Sequence, residues 1–111
     1  MRGPFREWSD EERMVHEPAR LTILTALSAC RRAEFMFLQG VTGLTRGNLS
    51  THLTRLEAAG LVKIQKGFQG KVPQTFLELT TSGREALDRH WRRLEQLRKV
   101  TRAQLITQPA R

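Results

Sequence analysis

The sequence predicts a mainly α fold with a small β-hairpin and an extended C-terminal helix, and three observations carry that expectation. Leu49, Leu53 and Leu56 recur at i, i+4 and i+7, the spacing that lines side chains along one buried helix stripe. Directly after Gly60, Val62 and Ile64 alternate with Lys63 and Gln65, the period of a half-buried strand. From Thr81 onward, Leu87, Trp91, Leu94 and Leu97 repeat at helical intervals along a segment long enough to outrun a small domain.

With 111 residues the chain has room for one domain and one modest core. Its 19 Lys plus Arg against 11 Asp plus Glu give a formal net charge of +8, which favours a polyanionic partner. No apolar run approaches the roughly 20 residues that span a bilayer, and no apolar signal segment follows Met1, so a cytoplasmic protein with no membrane partner is expected. Cys30 is the single cysteine, which excludes an intrachain disulfide and a multi-cysteine metal site; His16, His52 and His90 lack ligand spacing. Neither a metal nor another cofactor is expected. Cys30 reads as a small apolar residue near a helix end rather than a redox sensor. An enzyme is not expected either: there is no phosphate-cradling glycine loop, no paired carboxylates in a pocket-forming context, and no tyrosine.

The first fifteen residues mix Gly3 and Pro4 with charge. Ser9, followed by Asp10, Glu11 and Glu12, reads as the cap of a short helix with an acidic first turn. Phe5 and Trp8 are large for an arm and either pack on the body or on a second subunit, or stand exposed in a flexible tail. Pro18 suits the first position of the next helix, expected to run to about Arg32, with Leu21, Ile23, Leu24 and Leu27 making it central. A few extended residues at 33–35 and a short helix from about Phe35 to Thr42 follow, weakened by Gly40 and ended at Gly43.

Thr45 is a suitable N-cap for the leucine-striped helix, and Gly60 suits its left-handed end. Its other positions, Arg46, Asn48, Ser50, Thr51, His52, Thr54 and Arg55, are short polar groups and guanidinium forks that match base edges and phosphates. Strands at 61–66 and 75–80 flank a loop at 67–73, and Lys63, Lys66 and Lys71 have no acidic residue among them. Helix, turn, helix and then hairpin is the order of a winged helix-turn-helix.

The segments HEPARLTIL, GLTRGNLSTHL, LEAAGLV, FQGKVPQT and LTTSGREAL together resemble the small winged-helix transcriptional regulators related to the MarR and ArsR families, over about residues 15 to 90. The resemblance implies a homodimeric DNA-binding regulator, with Arg46, Asn48, Ser50, Thr51, His52 and Arg55 on the recognition helix and Lys66, Gln69 and Lys71 on the wing. Many metal-sensing relatives carry paired cysteines. This chain lacks them, which argues against metal sensing.

The final helix is expected from Ser82, with Ser82 as N-cap and Glu85 completing a capping box, to about Ile106. Its apolar stripe, extended by Leu105, reads as a dimer surface, with the arginines around it mostly on a solvated face. The residues from Gln108 to Arg111 should fray. The expected division is an arm over 1–15, a DNA-binding unit over 16–80, a dimerisation helix over 81–106 and a tail over 107–111. The expected function is sequence-specific binding of double-stranded DNA at a pseudopalindromic operator, as a repressor. Arg46 and Asn48 would read bases, while His52 and Arg55 meet phosphates. The competing reading is a winged-helix protein-interaction module without specific DNA binding. No effector, operator or regulated gene can be read from the residues.

Overall fold

The computed structural model describes residues 6–107, with side chains to Gln104; Phe5, the side chain of Leu105 and the tail at 108–111 lie outside the described residues. The elements are α1 (Asp10–His16), α2 (Pro18–Ser28), β1 (Ala33–Glu34), α3 (Phe35–Thr42), α4 (Arg46–Ala58), β2 (Val62–Gln69), β3 (Val72–Leu79) and α5 (Thr81–Thr107). No helix among them is long and apolar enough to cross a membrane.

Helix α1 begins with a complete capping box. The Ser9 hydroxyl accepts from the Glu12 amide at 3.1 Å, and the Glu12 carboxylate accepts from the Ser9 amide at 2.8 Å. Helix α2 starts with Pro18 at its first turn, where a missing N–H is harmless. Glu17 caps it, accepting from the amides of Ala19 and Arg20 at 2.9 and 3.0 Å. The helix stops at Ser28, four residues before the expected end at Arg32. The chain has to turn here, because Ala33 and Glu34 pair antiparallel with Leu77 and Phe76. Arg32 is thereby carried to the sheet, its guanidinium 3.9 Å from the centre of the Phe76 ring.

The hairpin becomes a three-stranded sheet in the order β1-β3-β2. Its strands run well past the expected 61–66 and 75–80, pairing out to Gln69 and Val72, so that most of the expected loop at 67–73 is ladder. Only Gly70 and Lys71 turn, with Gly70 at φ 63°, a left-handed value that suits glycine in a two-residue hairpin turn. The hairpin twist and the continuing main-chain ladder override the turn-rich composition of this segment.

One core lies between the helices and one face of the sheet. Ile23, Leu24 and Leu27 of α2 meet Leu38 of α3, Leu49, Leu53 and Leu56 of α4, and Leu77 of β3. Each such side chain removed from water contributes roughly 1.5–3 kcal/mol, which is why α4 cannot rotate about its own axis without losing its stripe.

Helix α5 is not capped by Ser82. Thr80 fills that place: its hydroxyl donates to the Gly60 carbonyl at 2.7 Å and accepts from the Gly83 amide at 2.9 Å. Ser82 lies exposed inside the first turn. One threonine therefore ties the start of α5 to the end of α4, a long-range pairing that local spacing does not reveal. The inner face of α5 buries Ala86, Leu87, His90 and Arg93; beyond Arg93 the helix runs outward, contributing to principal extents of 67 × 26 × 22 Å.

The arm docks on this helix. Trp8 lies beneath the Arg93 guanidinium at 3.7 Å, and its ring is 4.9 Å from that of His16 and 5.6 Å from that of His90. Trp8 thus packs on the body of its own chain.

Candidate nucleic-acid interface

Helix α4 starts where Thr45 caps it, the hydroxyl accepting from the Asn48 amide at 3.1 Å. Before it, Gly43 takes φ 72° and turns the chain out of α3; after it, Gly60 at φ 77° turns the chain into β2. With Leu49, Leu53 and Leu56 fixed in the core, the helical period decides where the polar residues go.

The period divides them into two rows. Asn48, Thr51 and Arg55 stand exposed along the outer face, at intervals of three and four. Arg46, Ser50 and Thr54 lie along the side turned to the hairpin, where they line a cleft of about 770 Å³ whose far wall includes Lys66, Thr75 and Pro73. The six exposed positions are therefore presented together but not as one surface.

His52 has a different environment. It is half-buried, with Nδ1 at 3.4 Å from the Arg20 guanidinium and 3.7 Å from the Glu17 carboxylate. Burial raises the Glu17 carboxyl pKa, but the Ala19 and Arg20 amides, aided by His52 and Arg20, outweigh it and hold the group below its ordinary value. His52 thereby joins α4 to the start of α2.

On the hairpin, strand alternation separates the expected wing residues. Lys66, across from Thr75, shares the face that closer in carries Ile64 and Leu77. Gln69 belongs to the opposite face, where its side-chain oxygen accepts from the Gln74 amide group at 2.7 Å. Lys71 sits in the turn itself. Lys63 lies 3.8 Å from Glu78 across the ladder, which offsets part of the positive charge expected of the hairpin. Among the described residues no ion pair engages Arg46, Arg55, Lys66 or Lys71.

Two acidic groups were not expected near this surface. Glu34 and Glu57 also line the cleft, and Glu34 caps α3 by accepting from the Phe37 amide at 3.2 Å. Thr75 and Pro73 were missed as well. Only the strand register, which sets them opposite Lys66 and Phe68, brings them to the site.

The arrangement has no metal-binding cluster of three or more His, Cys, Asp or Glu among the described residues. What it offers is an exposed helix with amide, hydroxyl and guanidinium groups, next to a projecting basic hairpin. Such groups suit the hydrogen-bonding pattern of base edges and the charge of phosphates.

Comparison with known proteins agrees with this geometry. A family model described as a winged helix DNA-binding domain matches residues 19–98. An uncharacterized protein of Methanocaldococcus jannaschii, MJ0432, is 33% identical over 88 residues, covering 78% of this chain and 95% of that protein. Among solved structures, a transcriptional regulator homologue from Pyrococcus horikoshii OT3 superposes with a TM-score of 0.67 at 35% identity, covering 82% of this chain and 87% of that one. The transcriptional repressor CouR, solved on a 23-mer DNA duplex, superposes with a TM-score of 0.66 at 22% identity, covering 88% and 71% of the two chains. MarR-family transcriptional regulators are among its structural neighbours, in line with the resemblance carried by the sequence motifs. This is a non-enzymatic family. The capped α4, the α3 that precedes it and the hairpin that follows are the parts of one recognisable unit: the chain belongs to the winged-helix DNA-binding domain family.

Proposed function

We propose that this protein is a cytoplasmic, homodimeric transcriptional regulator that binds double-stranded DNA sequence-specifically and acts as a repressor. The observation that carries the reading is the outer row of α4. Asn48, Thr51 and Arg55 are held exposed by a fully buried leucine stripe, with no acidic side chain in their row.

In this reading residues 16–80 form the DNA-binding unit and 81–106 the dimerisation helix. Arg46 and Asn48 read bases from the first turn of α4, since a guanidinium fork matches guanine and a carboxamide matches adenine, each pair contributing roughly 1–3 kcal/mol. Ser50, Thr51 and Arg55 meet the backbone. His52 contributes by holding the angle of α4 and, through its ring edge, by meeting a phosphate. Lys66, Gln69 and Lys71 supply the hairpin's contacts. The relation to a repressor solved on a DNA duplex supports the same reading.

Dimerisation rests on α5, where Trp91 is 43% exposed and Leu94 and Leu97 are half-buried beyond the body of the domain. Two copies joined there would present two α4 helices to successive major grooves, about 34 Å apart along the duplex. Selection of bound duplexes from a random-sequence library tests the proposal. A recovered site with two inverted half-sites one helical turn apart is the expected result; a site without a dyad removes the dimeric mode, and no enrichment at all removes specific binding.

A further inference from the structure

The tip of the hairpin carries an aromatic side chain that the fold does not use. Along the inner face of β2 and β3 the cross-strand pairs run outward from Val62 with Leu79, through Ile64 with Leu77 and Lys66 with Thr75, to Phe68 with Pro73. The first two pairs belong to the core or pack against it. The last pair lies beyond it, and Phe68 is 73% exposed, the most exposed large apolar side chain among the described residues.

The position has a defined chemical setting. Lys66 is two residues away on the same strand face, about 7 Å along the strand, and Lys71 is in the turn. Neither is engaged in an ion pair among the described residues. Between this tip and α4 lies the cleft, its rim formed by Ser50 and Thr54 on one side and by Lys66 and Thr75 on the other, with Glu34 and Glu57 also in its lining. A phosphodiester strand is the ridge that separates a major from a minor groove. In the DNA-binding reading α4 lies in the major groove, and a hairpin that projects past the phosphodiester ridge beside it reaches the adjacent minor groove.

We propose that Phe68 is a minor-groove wedge: its ring enters between the sugar walls, partly unstacks a base step and bends the duplex, while Lys66 and Lys71 hold the phosphates on either side. Apolar side chains at the tips of DNA-binding elements act on the minor groove in this way, and flexible pyrimidine–purine steps yield most readily. Val72, 61% exposed, lies at the same tip on the opposite sheet face, paired with Gln69, and the cations Lys66 and Lys71 that flank Phe68 favour duplex DNA over an apolar protein partner. Phe68 would thus add selectivity for deformable steps where no base edge is read. The inference rests on the DNA-binding reading above.

The test uses the full-length protein and the duplexes that it selects from a random-sequence library, end-labelled for energy transfer. Phe68→Ala and Phe68→Leu are compared with the unaltered protein for affinity at two salt concentrations and for end-to-end distance in the complex. Both variants should unfold at the same temperature as the parent, because the ring is exposed. Phe68→Ala is expected to lower affinity by about tenfold or more with an unchanged salt slope, matching the loss of a buried apolar ring, and to straighten the bound duplex. Phe68→Leu should keep most of both. Unchanged affinity, or an unchanged end-to-end distance, in Phe68→Ala overturns the wedge while leaving DNA binding intact. If the unaltered protein selects no duplex, the DNA-binding reading fails and the wedge with it.

Discussion

His16 Nδ1 and His90 Nε2 lie 3.0 Å apart, joining the end of the first helix to the inner face of the last. Such a contact holds one shared hydrogen, so one ring donates and the other accepts. His90 is 2% exposed, and its Nδ1 has no hydrogen-bond partner among the described residues. Burial, the neighbouring His16 and Arg93 together push its pKa below the ordinary 6.5, against the opposing pull of Glu12.

The direction fixes the pH dependence of stability. The unfolded chain takes up a proton at His90 more readily than the folded one, so stability holds above about pH 6.5 and declines as pH falls below it toward the folded value. Thermal unfolding followed from pH 7.5 down to about 5.5 should show a falling midpoint. His90→Gln should flatten that slope, and an equal slope in both proteins would remove His90 as its source.

Glu12 collects the arm. Its carboxylate takes two hydrogen bonds from Arg6, at 2.7 and 2.9 Å, one from Arg93 at 2.6 Å and one from the Ser9 amide. Arg93 also donates to the Arg6 carbonyl. The Arg6 bonds foremost, and those of Ser9 and Arg93, hold the Glu12 pKa well below its ordinary 4.5 against the opposing effect of burial. Its contribution is therefore present above about pH 4.5 and is lost as pH falls below that value. Glu12→Gln should cost about 2 kcal/mol at neutral pH, measured by denaturant unfolding, and should weaken the acid sensitivity in this lower window.

Two helix glycines should respond oppositely to the same change. A Cβ on Gly83 would come within 2.0 Å of the Leu61 carbonyl oxygen, where backbone from a different element blocks it. Gly83→Ala should cost about 3 kcal/mol or prevent folding. Gly40 in α3 has no atom within 4 Å of the same position, so Gly40→Ala should stabilise by up to about 1 kcal/mol through helix propensity. Circular dichroism melts of the pair check both signs.

The residues proposed to contact DNA should divide by readout. Asn48→Ala is expected to relax one position of the selected site by roughly 1–3 kcal/mol of discrimination. Lys71→Ala should weaken all sequences alike and reduce the salt slope by about one. His52→Ala should lower the melting temperature, since His52 holds α4 against Glu17 and Arg20. Binding titrations on matched and single-mismatch duplexes separate the first two. An equal loss of selectivity in both would reject the division.

Leu97→Glu tests the proposed dimer by placing a charge on the part of the α5 stripe that continues past Arg93 and outside the core cluster. Sedimentation should then report a monomer that melts close to the temperature of the domain itself, and DNA affinity should fall with the lost second half-site. A variant that stays dimeric would move the interface elsewhere.

The sequence alone determined the order of elements and the two faces of α4, because both follow from local rules: a leucine period, a threonine cap, a glycine end and a strand alternation. It also determined the basic balance that makes a polyanion the natural partner. Only the tertiary structure decided that Thr80 rather than Ser82 starts α5, that His52 is tied to Glu17, that Gln69 and Lys66 take opposite faces, and that His16 meets His90 across 74 residues. Those outcomes depend on pairing and burial between segments distant along the chain, and which distant groups share one volume is settled by the packing of the whole core rather than by any local pattern.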